Sequence, residues 1–139
     1  MSEQASYQVR FDWGAAGEAA ISPGADAVIR VDQLGGAADA RGLEHAEELA
    51  DWAIARQEEL GGRFTVAVIA TGAERADGGI RFAVEDLLAA GAIIEAIAAR
   101  GIDHQSPEAA AAASAYRGLQ RATRHLIAAS VSARELRSG

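Results

Sequence analysis

The hydrophobic and polar positions of this chain sort into alternating strand-like and helix-like segments. Tyr7 to Asp12 (YQVRFD) alternates with period two and predicts a strand. Gly14 to Ala20 reads as a short helical stretch, closed by Ser22-Pro23-Gly24. Ala27 to Asp32 (AVIRVD) is β-branched and mostly apolar, a second strand, and Leu34 to Ala37 with its Gly35-Gly36 pair is a loop. Leu43 to Leu60 places Leu49, Trp52, Ala53, Arg56 and Leu60 at the 3.6 period, and Gly61-Gly62 ends this helix. Phe64 to Thr71 (FTVAVIAT) is continuously apolar, which suits a central strand buried on both faces. Arg81 to Arg100 is a second long helix, stopped by Gly101. Ser106-Pro107-Glu108 combines an N-cap serine, a first-turn proline and a first-turn acid, and predicts a helix running to about Ala129. Ser132-Ala133-Arg134-Glu135 has capping-box spacing and predicts one more short turn of helix.

Strands alternating with helices predict a single α/β domain: a small, mainly parallel sheet of about three strands, flanked by helices, with a long C-terminal helix. The outer edge of so small a sheet has to be covered by a helix or by another subunit. The alanine-rich last helix offers a surface for a second chain, so a homodimer is expected.

Composition narrows the function classes. Half of the 139 residues are hydrophobic, yet aromatics make up only 5%. A core of alanines lets helices approach closely. No apolar run is long enough to span a bilayer, and MSEQASYQVR has no apolar signal-peptide core, so a cytoplasmic protein without membrane partners is expected. With no cysteine there is no disulfide, thiol catalysis or cysteine-ligated metal. A net charge of −7 argues against nucleic acid as a partner.

The chemistry-bearing residues gather where strands end. Asp12 follows the first strand, Asp32 ends the second, and Glu74 lies just past the third. Parallel strands would project all three from one sheet edge, and Asp86, early in the following helix, would lean over it. Carboxylates converging there suit Mg²⁺, which takes oxygen ligands and keeps waters for a substrate phosphate. Arg75 and Arg81 could grip the anion as bidentate forks, and the helix N-terminus near Arg81-Phe82 would add backbone donors. The plain alternative is that such acids cap helices and favour their dipoles. His45, His104 and His125 lack metal spacing and read as surface residues; Trp13 and Trp52 read as packing residues. Arg117, Arg121 and Arg124 read as a solvated helix face. No GxSxG elbow, GxxxxGK[ST] loop or GxGxxG turn is present.

Three blocks carry a resemblance. They are FDWGAAGEAAISPGADAVIRVDQL (Phe11 to Leu34), GRFTVAVIATGAERADGGIRFAVEDLLAAGAI, and the terminal SPEAAAAASAYR with VSARELRSG. Together they resemble the 2-phosphosulfolactate phosphatase family, magnesium-dependent phosphomonoesterases. Asp32 and Leu34 fall on that family's VDVL strand end; Glu74, Glu85, Asp86 and Gly91 fall on its AGER-like loop and EDLLGAGAI-like helix. The resemblance implies Mg²⁺-dependent hydrolysis of a small phosphorylated acid, with Asp32, Glu74 and Asp86 as catalytic metal ligands and Arg75 and Arg81 binding substrate. Gln33 replaces the valine of VDVL, and the family's Pro-Asn-Gly-Ser/Thr anion loop has no counterpart. A second reading therefore stands beside the first: a non-catalytic relative acting as a binding module or dimeric scaffold.

Overall fold

The computed structural model describes residues 3–139. Three parallel strands, β1 (Val9–Trp13), β2 (Ala27–Val31) and β3 (Val66–Ala70), form a sheet in the order β1-β3-β2. The continuously apolar strand is the central one, and all five of its residues are buried. Helix α1 (Gly14–Ile21) joins β1 to β2, and α2 (Ala46–Leu60), entered through a 3-10 turn at Leu43–His45, joins β2 to β3. These two crossovers run in opposite directions across the sheet. Equal handedness then puts α1 and α2 on opposite faces.

Strand alternation divides the core accordingly. Val9, Phe11, Ile29, Val31, Val66, Val68 and Ala70 face the larger cluster, packed by α2, α3 (Val84–Ala99) and α4 (Pro107–Leu119). Ala67 and Ile69 face the other way, onto Ile21 of α1. Arg10 is buried, its guanidinium donating to the carbonyls of Tyr7, Ile21, Pro23 and Ala5 at 2.9–3.1 Å. Burial and the nearby Arg63 charge push its pKa down from the usual value. No pattern in the sequence marks this residue as interior.

Loops and side chains, rather than a covering helix, finish the sheet edges. Gln8 and Val9 amides donate to the His104 carbonyl, Ser106 N–H donates to the Val9 carbonyl, and the Gln4 side-chain amide pairs with both backbone groups of Phe11. On the far edge, Asp32 N–H donates to Arg41 O and Arg41 N–H to Arg30 O. Each contact satisfies backbone groups that an open edge would leave unpaired.

Helix ends follow the capping signals, with three corrections. Ser106 accepts from Ala109 N–H at 3.0 Å with Pro107 as the first helical residue, and Gly61 closes α2 at φ 68°. The second long helix starts at Val84, not Arg81: the glycine-containing loop folds into a hairpin, β4 (Ala73–Glu74) with β5 (Ile80–Arg81), which claims Arg81 as a strand residue. The last long helix is not continuous to Ala129. A 3-10 turn at Gln120–Ala122 separates α4 from α5 (Thr123–Ala129). The final helix α6 (Val131–Ser138) is capped by Ser130, whose hydroxyl accepts from Ala133 N–H at 3.1 Å, so the capping serine is Ser130 rather than Ser132. No described helix is long and apolar enough to cross a membrane.

The small-residue core allows the close approach expected of it. A Cβ added at Gly91 of α3 would lie 2.2 Å from the Ala112 carbonyl oxygen of α4. Backbone cannot yield as a flexible side chain can, so Gly91→Ala forces the two helices apart. Overpacking of this kind costs about 1–3 kcal/mol, and here it outweighs the helix-propensity gain of about 1 kcal/mol. Gly118→Ala adds its methyl to open space. Gly91→Ala should lower the urea midpoint and Gly118→Ala should leave it unchanged or raise it; equal midpoints for the two variants would contradict the close helix contact.

Candidate functional site

The carboxyl ends of the strands converge on one edge of the sheet, and two regions lie there. The first is the crevice between β1 and β3, whose following helices leave toward opposite faces, the usual ligand position in an open α/β sheet. The hairpin covers it with Ile80, which stays 44% exposed. Ile80 lies against both Gly14 and Gly72, where an added Cβ would come within 2.0 Å and 2.7 Å of its side chain. Both glycines have positive φ, 66° in each case, so neither position readily takes a larger residue. Trp13 and Phe82 stack beside this cover with ring centroids 5.4 Å apart. Asp12 stays out of the crevice: its Oδ1 accepts from Trp13 N–H at 2.7 Å, and its carboxylate lies against Gly17 of α1.

The second region, between β3 and β2, holds the acids. Asp86 is 1% exposed at the start of α3. Its Oδ1 accepts from Gln33 N–H at 2.8 Å, and its Oδ2 from Gly72 N–H at 2.9 Å and the Thr71 hydroxyl at 3.3 Å. One carboxylate thus ties the loop after β2, the loop after β3 and helix α3 together. Burial pushes its pKa up to about 7, against the pull of the Gln33 and Gly72 amides, and the charges of Asp32 and Glu85 push the same way. Asp32 is half-buried beside it. Burial, then the Glu85 charge, raises its pKa, while Thr71 and Gly35 act to lower it. A Cβ at Gly35 would lie 2.0 Å from Asp32 Oδ2, so the carboxylate rests where only glycine leaves room.

Glu85 is 3% exposed, and its Oε1 has no hydrogen-bond partner. With Asp32, Gly35, Gly72 and Arg81 it lines a cleft of about 280 Å³, whose far wall is Ser132, Glu135 and Leu136 of α6. Arg81 donates to Glu135 at 2.9 Å and to the Ser132 hydroxyl at 3.2 Å, which closes α6 over the cleft.

The residues picked from the sequence therefore divide. Asp32, Asp86 and Arg81 come together at this edge. Glu74 and Arg75 do not: both are exposed on the hairpin, where Glu74 pairs with Ile80 and Arg75 turns the chain. Among the described residues no group of three or more acidic, histidine or cysteine side chains could hold a metal together. The physical reason is that β4 leads Glu74 away from the strand end, while Asp86 commits both oxygens to backbone amides. Glu85 takes the cleft position instead. Neighbours in a helix turn about 100° apart, so only one of the adjacent Glu85 and Asp86 could serve the loops while the other faced the cleft. The helix start at Arg81-Phe82 is displaced as well; the N-cap is Ala83.

The other candidates settle as packing and capping groups. His45 Nδ1 accepts from Gly42 N–H at 2.9 Å, His104 packs on Tyr7, Trp13 on Phe11, and Trp52 on Phe64.

The fold and edge define an α/β domain with a buried acidic cluster at the carboxyl end of a parallel sheet. Comparison with protein-family models, curated proteins and solved structures returned no match.

The raised pKa of Asp86 has a sign in stability. Its unfolded value is near 3.8 and its folded value near 7, so the folded chain binds the extra proton. The stability gained is fully present below the unfolded value and is lost as pH rises through about 7. In EDTA, the urea midpoint should fall between pH 5 and pH 8, and Asp86→Asn should flatten that slope. A wild-type midpoint that rises over this interval would show that the amide donors, not burial, dominate the group.

Proposed function

We propose that the cleft at Asp32, Glu85 and Arg81 binds Mg²⁺ with a small phosphorylated acid and hydrolyses its phosphomonoester. This is the activity that the resemblance to 2-phosphosulfolactate phosphatases implies. One observation carries the reading: Glu85 Oε1 is a buried carboxylate oxygen with no partner. Such an atom is costly unless a donor or a cation satisfies it. Mg²⁺ is commonly held by one or two carboxylates, with waters and substrate phosphate completing its shell. Asp32 and Glu85 fit that demand without a third acid, and the absence of a larger ligand cluster is compatible with it. The ion would neutralise phosphate charge and polarise the P–O bonds.

The chain's own residues then have separate tasks. Arg81 presents a guanidinium that matches phosphate oxygens, and a substrate anion exchanges for the exposed Glu135 carboxylate it holds in the free chain. Asp86 positions: by fixing Gln33 and Gly72 it sets where Asp32 and the cleft wall stand. Helix α6 forms the far wall of the cleft. A cytoplasmic homodimer, with a second copy packed on the last helices, would supply the wall that the missing anion loop leaves open.

A second reading has its own observation. Arg81 is already neutralised within the chain by Glu135 and Ser132, which suits a binding module or dimeric scaffold without catalysis. Phosphate release from 2-phosphosulfolactate, with and without Mg²⁺, separates the two. The catalytic reading expects turnover that EDTA abolishes and that Asp32→Asn or Glu85→Gln reduces by about 10²-fold or more. Asp86→Asn, acting through position, should lose about 10–100-fold. Mg²⁺ binding without turnover selects the second reading, and a folded chain with neither overturns the cleft assignment.

A further inference from the structure

A second cavity, of about 590 Å³, lies between the bent C-terminal helices and the loops after β2. Its volume falls in the range of about 300–1,000 Å³ typical of small-molecule sites. Leu34, Leu43, Ile127 and Ala133 supply apolar walls, with Tyr116 alongside. Among the described residues, Arg121 and Arg124 are the only charged side chains lining it, and no carboxylate does.

The ion-pairing pattern makes this notable. Arg30, Arg56, Arg81, Arg100 and Arg117 each bind a carboxylate. The exposed side chains of Arg121 and Arg124 make no hydrogen bond or ion pair among the described residues. Arg75 and Arg134 share that property, but Arg121 and Arg124 stand together on one cavity, in a chain with 20 acids against 13 basic residues. A cavity of similar size, about 600 Å³ beside β2, has both signs on its walls, with Arg30 bonded to Asp39. The 3-10 turn at Gln120–Ala122 creates the difference. It breaks the straight helix face on which Arg117, Arg121 and Arg124 would have lined up. Arg117 is left bonded to Glu95, and the other two stand at the mouth of an apolar hollow.

We infer that this cavity binds a small organic anion with an apolar body, such as a medium-chain carboxylate, its charge held by Arg121 and Arg124. A guanidinium suits a planar carboxylate, which accepts two parallel N–H bonds from its fork, and two of them line this cavity. The apolar walls reward a hydrocarbon body and give nothing to free phosphate. The linings of this cavity and of the acidic cleft share only Leu34, so this site is separate from the proposed phosphatase site. It does not depend on that reading.

Octanoate binding to the full chain, by calorimetry with chemical-shift mapping, tests the inference. The expected result is saturable binding with shifts at Leu34, Ile127 and Ala133, and much weaker binding of octanol and acetate. The Arg121→Gln/Arg124→Gln variant, with an unchanged thermal melt, should lose about tenfold or more in affinity, about 1.4 kcal/mol or more. Octanol binding as tightly as octanoate would overturn the inference, as would octanoate binding unchanged in the variant or absent from wild type. A wild-type dimer that the double substitution dissociates would also overturn it, by making a second copy the occupant.

Discussion

The sheet edge depends on one buried carboxylate. Asp86 receives hydrogen bonds from the loop after β2 and from the loop after β3 while anchored in the first turn of α3. Without it, the part-buried Gln33 and Gly72 amides would lose their acceptors, and each such loss costs on the order of 1–3 kcal/mol where water does not replace the bond. The arrangement has an electrostatic cost. Asp86 is the most buried of three neighbouring acids, and their mutual repulsion adds to desolvation in lifting its pKa to about 7. A group at that value holds its loops by ionised and neutral forms in comparable amounts near neutrality. A cation in the adjacent cleft would favour the ionised form.

Close packing makes the anchor possible. Gly91 lets α3 lie against the Ala112 backbone, and Gly72 lets Ile80 cover the crevice beside β3. The hairpin thus covers the crevice that an open α/β sheet ordinarily offers, and the acids stand one strand away from it. Asp32, Glu85 and Arg81, the residues of the proposed site, line the cleft there with α6 as its far wall. Glu135 reaches Arg81 from that last helix, so the same guanidinium serves as a latch and as the proposed anion contact.

Much of the architecture was legible along the chain because local physics wrote it there. The uninterrupted VAVIA run marked the central strand, since only a strand covered on both faces can be apolar at every position. Ser106-Pro107 and Gly61 marked helix ends, because caps satisfy backbone groups within a few residues. The hairpin was less legible: Ile80-Arg81 runs into an apolar helical pattern, and only pairing with Ala73-Glu74 makes it a strand. The break at Gln120 was hidden for a similar reason, since Leu119, Gln120, Arg121 and Ala122 are all good helix formers and continue helical propensity across it.

By itself the sequence determined the order of the three main strands and the long helices between them, the parallel α/β class and the gathering of acids at the strand ends. These follow from periodicity, caps and crossover length, all of them local. Tertiary structure decided which acids share a site. Glu85 rather than Glu74 lines the cleft, Asp86 serves the backbone, and Arg10 is interior because four carbonyls from separate segments meet around it. Arg121 and Arg124 are exposed, as the pattern read them, and only folding set them beside an apolar hollow. Burial, desolvation and pairing are properties of neighbours brought together by folding, and residue spacing alone does not encode them.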